Sequence, residues 1–269
     1  MGSNPLFHST TSPSDKLLNI TLIIQGGLGS TVIIFYALIK MQKVKKSDKI
    51  LKMKLLLTSG GLANKTIINA LRDLIGKDFI DSKLVFIPTA SNIEEGDKWW
   101  LINDLLKFKE LGFKMIDIVD VAAVSDKIWM PRIENAEVIV VGGGNTSYLM
   151  EQIKKSGLAA SLPNLLKSRV YVGISAGSMV VSPNLKEKEM QRLYEEPIIE
   201  GNLNKGLGFV DFLVVPHMNS PHFPRAAELI DEVAKDIKIS FYAVDDQTAI
   251  KVNDNKIEVV SEGKWKRFN

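Results

Sequence analysis

The sequence predicts an α/β fold with a mostly parallel sheet and helices on both of its faces, which makes three layers. After Met53, short apolar runs alternate with longer amphipathic runs, as in chains built from repeated β-α units. Glycine-rich turns follow several of the short runs, where such folds connect a strand to a helix. The 269 residues, 45% of them hydrophobic, are enough to bury a sizeable core.

The predicted elements follow in chain order. KLLLTSGG is a strand with a glycine turn, and NKTIINALRDLIG is the first helix, with Asn64 as its N-cap. KLVFIPTAS is the second strand, EEGDKWWLINDLLKFKELG the second helix and FKMIDIV the third strand. ENAEVIVVGGGNTSYLMEQIKKSG supplies a fourth strand, a turn and a helix, and SRVYVGISAGSMVV supplies the fifth strand and another turn. The second helix carries an imperfect apolar stripe, formed by Trp100, Ile102, Leu105, Leu106, Lys109 and Leu111.

The later part of the chain has a different pattern. Residues 182–207 are polar and predict an insertion rather than a core element. GLGFVDFLVVPHMN predicts a strand that ends at His217, and FPRAAELIDEVAKD predicts a helix. ISFYAVDD, QTAIKVND and KIEVVSEG predict short closing strands in a meander, with a turn at Asn253 to Asn255. We therefore predict a single α/β domain over residues 53–269.

Residues 1–52 are predicted to be an extension that precedes this domain. Residues 17–39 carry no charge and are long enough to cross a bilayer, and a lysine-rich stretch follows them. Asn19, Gln25 and three glycines weaken this segment, and Met53 would itself be a natural start. Two interpretations stay open: an upstream segment absent from the working protein, or a marginal membrane anchor. Both place the α/β domain in the cytoplasm.

Composition and charge exclude several classes of function. The absence of cysteine rules out disulfides, thiolate metal sites and a cysteine nucleophile. The formal charge of +3 arises in residues 1–52, where seven lysines face only Asp15 and Asp48, so the remainder is net acidic and no nucleic-acid partner is expected. The spacing of His217 and His222 does not place two imidazoles on one helix face, so no metal is expected either.

The segment from Gly173 to Gly177 has the G-x-S-x-G pattern, a strand-to-helix elbow that presents a serine hydroxyl at the carboxyl end of a sheet. The alternative is an ordinary glycine turn whose serine caps a helix. A serine nucleophile at Ser175 needs a base within hydrogen-bond reach. Of the three histidines, His8 lies in the extension and His222 in a predicted loop. His217 ends a strand at the sheet edge expected to carry the elbow, so it is the predicted base.

Two further parts of such a site are less well determined by the residues alone. Candidates for the acid that orients the histidine are Glu187, Glu189, Glu195, Glu196, Glu200, Asp245 and Asp246, and the sequence does not choose among them. The turn in VVGGGNTSYLM offers the N–H of Gly143 or Gly144, which together with the Ala176 N–H would form an oxyanion hole. The alternative for this turn is a tight bend that needs glycine for its backbone angles alone.

Taken together, VGGGNTSYL, GISAGSMVVSP, EEPI and VVPHMN resemble the dipeptidase E and cyanophycinase family of serine peptidases, in the family's order and over nearly all of the chain from Met53. The resemblance implies a class I glutamine-amidotransferase-like fold in which the usual cysteine has become serine. It implies Ser175 as nucleophile, His217 as base, Gly144 and Ala176 as oxyanion donors, and Gly143 and Asn145 beside the substrate. EEPI aligns Glu195 with the family's acidic residue, with Glu196 as the close alternative.

The resemblance also implies a function, the hydrolysis of small peptides, including dipeptides with an amino-terminal aspartate, without cofactor or metal. Arg225 would bind the substrate carboxylate, and Trp99 and Trp100 would wall the cleft. Hydrolysis of branched Asp–Arg amides and a non-catalytic binding module on the same fold are the alternatives. The expected partner is a small peptide; a membrane contact depends on residues 17–39, and a homodimer stays open.

Overall fold

The computed structural model describes residues 52–197 and 205–269. The helices in these ranges are α1 (Lys65–Ile75), α2 (Trp99–Glu110), α3 (Asp126–Glu134), α4 (Thr146–Lys155), α5 (Leu158–Leu165), α6 (Ala176–Met179), α7 (Glu187–Tyr194) and α8 (Pro224–Val233). The strands are β1 (Lys54–Thr58), β2 (Lys83–Ile87), β3 (Met115–Ile118), β4 (Val138–Val141), β5 (Val170–Ile174), β6 (Leu213–Val215), β7 (Phe241–Val244), β8 (Thr248–Asn253), β9 (Lys256–Ser261) and β10 (Trp265–Phe268).

The strands form two sheets. The larger sheet has the order β3-β2-β4-β5-β1-β8-β9, in which the first five strands run parallel and β8 and β9 are antiparallel additions at one edge. The smaller sheet has the order β10-β7-β6. In the larger sheet β1 and β5 lie side by side, with Thr58 paired to Ile174. The residues that follow these two strands therefore emerge next to each other.

Helices cover both faces of the larger sheet because successive side chains of a strand point to opposite faces. Leu55 and Leu57 belong to one hydrophobic cluster, which includes residues of α3, α4 and α5. Leu56 belongs to a second cluster, which includes residues of α1 and α2. Both faces are thus buried, and the predicted three-layer α/β arrangement with a mostly parallel sheet is confirmed.

Local capping explains where two of the helices begin and end. The Asn64 side chain accepts a hydrogen bond from the Ile67 N–H at 2.9 Å, which satisfies an unpaired donor in the first turn of α1. Gly76 ends α1 in the left-handed region, with φ 77°. Asn145 caps α4 in the same way by accepting from the Tyr148 N–H at 2.8 Å.

The structure differs from the sequence predictions in the second helix. The predicted apolar stripe is only partly confirmed, because Leu105 and Leu111 pack against the second cluster while Ile102 is 56% exposed and Leu106 is 49% exposed. The buried residues of α2 are instead Asp104 and Phe108. The carboxylate of Asp104 on the buried face breaks the hydrophobic periodicity, so the pattern extends the stripe to residues that are exposed.

The later part of the chain also differs from the prediction. Residues 182–207 contain α7, whose Met190 and Leu193 are buried against β6, β7 and α8, so this segment includes a core element. β8 and β9 form the expected hairpin, but β7 lies in the smaller sheet with β6 and with β10, a strand that the sequence analysis does not predict.

The described part of the chain holds no helix that is both long and apolar enough to span a bilayer. Residues 17–39, the predicted anchor, lie outside the described residues, as do the rest of the predicted extension up to Leu51 and Glu200.

Candidate active site

Ser175 lies at a sharp turn between β5 and α6. Its backbone has φ 50° and ψ −111°, an unfavourable conformation for a residue with a side chain. Two glycines make the turn possible. A Cβ at Gly173 would lie 2.6 Å from the Gly177 carbonyl oxygen, and a Cβ at Gly177 would lie 2.0 Å from the Val141 oxygen. The G-x-S-x-G segment is therefore the strand-to-helix elbow that the sequence predicts.

His217 follows β6 and lies against the serine. Its Nε2 is 2.8 Å from the Ser175 Oγ, within hydrogen-bond distance. The ring stacks on Phe223, with centroids 4.4 Å apart and planes 21° apart, and meets the Tyr194 ring edge-on at 6.5 Å. The backbone N–H of His217 donates to the Ser59 Oγ at 2.8 Å. Packing and this hydrogen bond fix the imidazole in place.

The strand that precedes His217 belongs to a different sheet from the one predicted. The sequence analysis expects both residues at one edge of a single sheet. β5 belongs to the larger sheet, however, and β6 belongs to the smaller one. The serine and the histidine meet where the carboxyl ends of strands from the two sheets face each other.

Asp246, which follows β7, is the carboxylate that contacts the imidazole. Its Oδ1 is 2.7 Å from the His217 Nδ1 and accepts a hydrogen bond from the Ser59 Oγ, also at 2.7 Å. Burial raises the pKa of Asp246, but hydrogen bonds and charge from His217 together with the Ser59 and Ser220 hydroxyls outweigh it and lower the pKa to about 2. An ionised Asp246 requires the proton on Nδ1, so Nε2 is left to accept from Ser175.

Glu195, which the resemblance aligns with the family's acid, does not reach His217. Glu195 follows the last residue of α7 with φ 55°, and its carboxylate forms an ion pair with Arg225 on α8. The alternative Glu196 turns towards α4 and accepts from the Thr146 N–H. Asp245 is occupied in its own turn, where it accepts from the Thr248 hydroxyl at 2.8 Å. Of the carboxylates predicted as alternatives, the structure brings Asp246 to the imidazole.

The glycine turn after β4 lies beside the elbow. A Cβ at Gly143 would be 3.3 Å from the Ser175 Cβ. Gly144 has φ 125°, and a Cβ there would lie 2.3 Å from the Ala90 carbonyl oxygen, so only glycine fits. Within the described part of the chain, the N–H groups of Gly144 and Ala176 have no hydrogen-bond acceptor. Asn145 is fully buried and caps α4, and its side-chain amide donates to the Pro197 oxygen at 3.1 Å.

Comparison with known proteins identifies the family. The sequence profile of peptidase family S51 matches residues 55–260. This chain belongs to peptidase family S51, a family of serine-type peptidases.

Relatives agree with this assignment. An uncharacterised peptidase of Pasteurella multocida (strain Pm70) is 31% identical over 177 residues, which are 65% of this chain and 83% of that protein. Peptidase E of a Nostoc species (strain PCC 7120) is 26% identical over 78% of this chain and 85% of the relative. The crystal structure of a peptidase E candidate from Listeria monocytogenes EGD-e superposes with a TM-score of 0.65, covering 78% of this chain and 99% of that one at 22% identity. That structure supports the fold.

The S51 site opens into a cleft of about 670 Å³ whose wall includes Ser175, His217 and Asp246. This volume suits a small peptide. Both tryptophans line the cleft, as the resemblance implies, and Trp99 lies against His222 with ring centroids 5.4 Å apart.

The charge of the cleft differs from what the resemblance implies for an aspartyl substrate. Arg225, expected to bind a substrate carboxylate, forms an ion pair with Glu195 and does not line the cleft. Among the described residues that line it, there is no lysine or arginine. The carboxylates of the lining are those of Glu94, Asp97, Asp104, Glu195, Glu196 and Asp246.

Three of these carboxyl groups, those of Glu94, Asp104 and Glu196, have raised pKa values, and burial is the largest cause for each. Burial raises the pKa of Asp104 to about 7. Burial also raises the pKa of Glu196 to about 7, against the opposing effect of its hydrogen bonds from Thr146. No group of three His, Cys, Asp or Glu side chains within residues 52–197 and 205–269 has the arrangement of a metal site.

Proposed function

We propose that this S51 peptidase hydrolyses small peptides through an acyl-enzyme formed on Ser175, with His217 as general base and Asp246 as the residue that orients it. The observation that carries the proposal is the continuous chain of contacts from the Ser175 Oγ to the His217 Nε2 at 2.8 Å, and from the His217 Nδ1 to the Asp246 Oδ1 at 2.7 Å. Hydrogen bonds on both ring nitrogens set the tautomer that base catalysis requires.

In the first half of the reaction, the Ser175 Oγ attacks the scissile carbonyl carbon while Nε2 of His217 takes the hydroxyl proton. The carbonyl oxygen becomes an oxyanion, for which the N–H groups of Gly144 and Ala176 are the proposed donors. The C–N bond then breaks as the imidazolium gives its proton to the leaving amine. Water, deprotonated by His217, releases the acyl group in the second half.

Small peptides are the substrates favoured by the size of the cleft. A preference for amino-terminal aspartate, which the resemblance implies, lacks support because the guanidinium of Arg225 is neutralised by Glu195. A branched Asp–Arg amide differs in carrying a guanidinium, which the acidic lining would accept. Assays should therefore include both substrate types.

The test is labelling by a fluorophosphonate probe together with hydrolysis of a small dipeptide library. Wild type should label at Ser175 and cleave at least one dipeptide, whereas Ser175→Ala should do neither and keep the wild-type melting temperature to within a few degrees. Ser168→Ala, which removes an exposed hydroxyl from the loop before β5, is the matched control and should behave as wild type. A folded wild type that neither labels nor cleaves would indicate a non-catalytic binding module.

A further inference from the structure

Asp104 is a buried carboxylate that has no partner among the residues that the structure describes. It lies on α2 and is 8% exposed. No hydrogen bond or ion pair joins its side chain to another residue in the described ranges, although buried carboxylates in proteins are almost always paired. What remains of its surface faces the cleft, because Asp104 is one of the lining residues. Its burial raises its pKa, which is the expected consequence of an uncompensated charge.

The fold holds Asp104 close to the proposed catalytic residues. Trp100, Asn103 and Asp104 are spaced so that they share one face of α2, and all three line the cleft. A Cβ on Gly61 would lie 2.5 Å from the Asp104 Oδ1 and 3.7 Å from the Ile174 Cδ1. The carboxylate is thus packed against the loop that follows β1, which also carries Ser59, and next to the residue that precedes Ser175.

Nothing else in the described lining of the cleft would neutralise Asp104. The lining has no lysine or arginine, and its other ionisable groups are two histidines and further carboxyl groups, of which Glu195 pairs with Arg225 and Asp246 with His217. A ligand that enters the cleft with a positive charge would form an ion pair with a carboxylate already removed from water, where such a pair is stronger than at the surface. A ligand with a carboxylate at the same place would be repelled.

We propose that Asp104 binds a cationic group of the substrate, an ammonium or a guanidinium, beside the bond that Ser175 attacks. This inference rests on the proposed function for its catalytic meaning, but binding of the cation does not depend on catalysis. The cation can come from two sources: the free α-amino group of a short peptide, or a basic side chain on its first residue. Asp104 is then a residue that determines specificity, while Asp246 belongs to the proposed catalytic group.

Four dipeptides distinguish the two sources of charge: Lys-Leu, norleucyl-Leu and the Nα-acetyl form of each. Norleucine keeps most of the lysine side chain and removes its ammonium, and acetylation removes the α-ammonium. Their affinities are measured by calorimetry on Ser175→Ala, which leaves the peptides intact. We expect at least one cationic peptide to bind about tenfold or more tightly than acetyl-norleucyl-Leu.

The same titrations on Ser175→Ala with Asp104→Asn should remove that difference, by weakening the cationic peptides and leaving acetyl-norleucyl-Leu unchanged within about threefold. Glu110→Gln, an isosteric change at the exposed end of the same helix, is the control and should retain the difference. Equal affinities of all four peptides for Ser175→Ala, or a preference for cations that survives Asp104→Asn, would overturn the proposal. If Asp104→Asn does not fold, Asp104→Ser takes its place in these titrations, and equal affinities of the four peptides for Ser175→Ala overturn the proposal without either variant.

These outcomes distinguish the proposed peptidase function from the proposed role of Asp104 in binding a cation. Fluorophosphonate labelling of Ser175 without any preference for cations would leave the peptidase proposal standing and remove the role of Asp104. Binding of cationic peptides that depends on Asp104, in a wild type that does not react with the probe, would do the opposite.

Discussion

Asp246 is one of the acids that the sequence offers as a partner of His217, but the sequence alone does not select it. The pair Asp245 and Asp246 ends a predicted strand, and both are candidates from the sequence. Only the fold separates them, since Asp245 accepts from the Thr248 hydroxyl while Asp246 accepts from Ser59 and contacts His217. Ser59 was not predicted at all, because a serine after a strand and before two glycines is typical of an ordinary turn.

The first prediction contrasts two carboxylates by the same isosteric change. Asp246→Asn should lower kcat by about 10⁴-fold, because an amide no longer fixes the imidazole tautomer or stabilises its charged form. Glu195→Gln should keep kcat within about threefold, because its carboxylate contacts Arg225 and not His217. Steady-state kinetics on any dipeptide that wild type cleaves provide the measurement. A large loss of kcat in Glu195→Gln, with little change in Asp246→Asn, would instead identify Glu195, which the family resemblance aligns, as the acid that orients His217.

At the scale of single elements, the sequence predicts best what depends on neighbours along the chain. The elbow at Ser175 depends on Gly173 and Gly177, both within two residues of the serine. Helix α1 is likewise defined by its own cap at Asn64 and its own terminal Gly76. The burial of Asp104 on α2 could not be predicted, because it depends on a cleft that other elements help to form.

The second prediction tests the elbow through the glycine that supports it. Gly177→Ala would place a Cβ 2.0 Å from the Val141 backbone oxygen, which cannot move without disturbing β4. We expect a loss of about 3 kcal/mol in the free energy of unfolding, together with a fall in kcat because α6 carries Ala176. Urea denaturation and kinetics measure the two effects.

Gly157→Ala is the matched control for that change. Gly157 has a positive φ, of 83°, which Gly177 lacks, and a Cβ at Gly157 would meet nothing within 4 Å. Its expected cost is only the backbone strain of about 1 kcal/mol, without any change in kcat. If both variants lost the same stability and activity, the close approach of α6 to β4 would not be what requires glycine.

For the molecule as a whole, the sequence predicts the layers but not the division into two sheets. β6 and β7 are short and fully buried, and their side chains are apolar on both faces. Such strands show no alternation that would indicate which sheet they join. The proposed catalytic residues come from both sheets, because Ser175 follows β5 while His217 and Asp246 follow β6 and β7. The site therefore depends on how the two sheets pack together.

The burial of acidic groups in the cleft also affects the stability of the whole fold. Folding raises the pKa of Asp104 from 3.8 to about 7, so between these values the folded chain holds a proton that the unfolded chain has lost. The free energy of unfolding then falls as pH rises across that interval. Asp246 changes the free energy of unfolding with pH in the opposite direction. Its pKa is lowered to about 2, so its contribution is present above pH 4 and is lost only as pH falls towards 2.

The last prediction isolates Asp104 by comparing variants at two pH values. Asp104→Asn cannot ionise, so its advantage in unfolding free energy over wild type should grow by about 2–3 kcal/mol between pH 5 and pH 8. Asp117→Asn is the control and should differ from wild type by the same amount at both pH values, because the hydrogen bond and charge of Arg132 lower the pKa of Asp117 and keep it ionised in both states throughout that interval. Urea denaturation at each pH gives these differences. If the difference in unfolding free energy between Asp104→Asn and wild type were the same at both pH values, the carboxyl group would already have a neutralising partner. Asp104 would then not be available to bind a cation in the cleft.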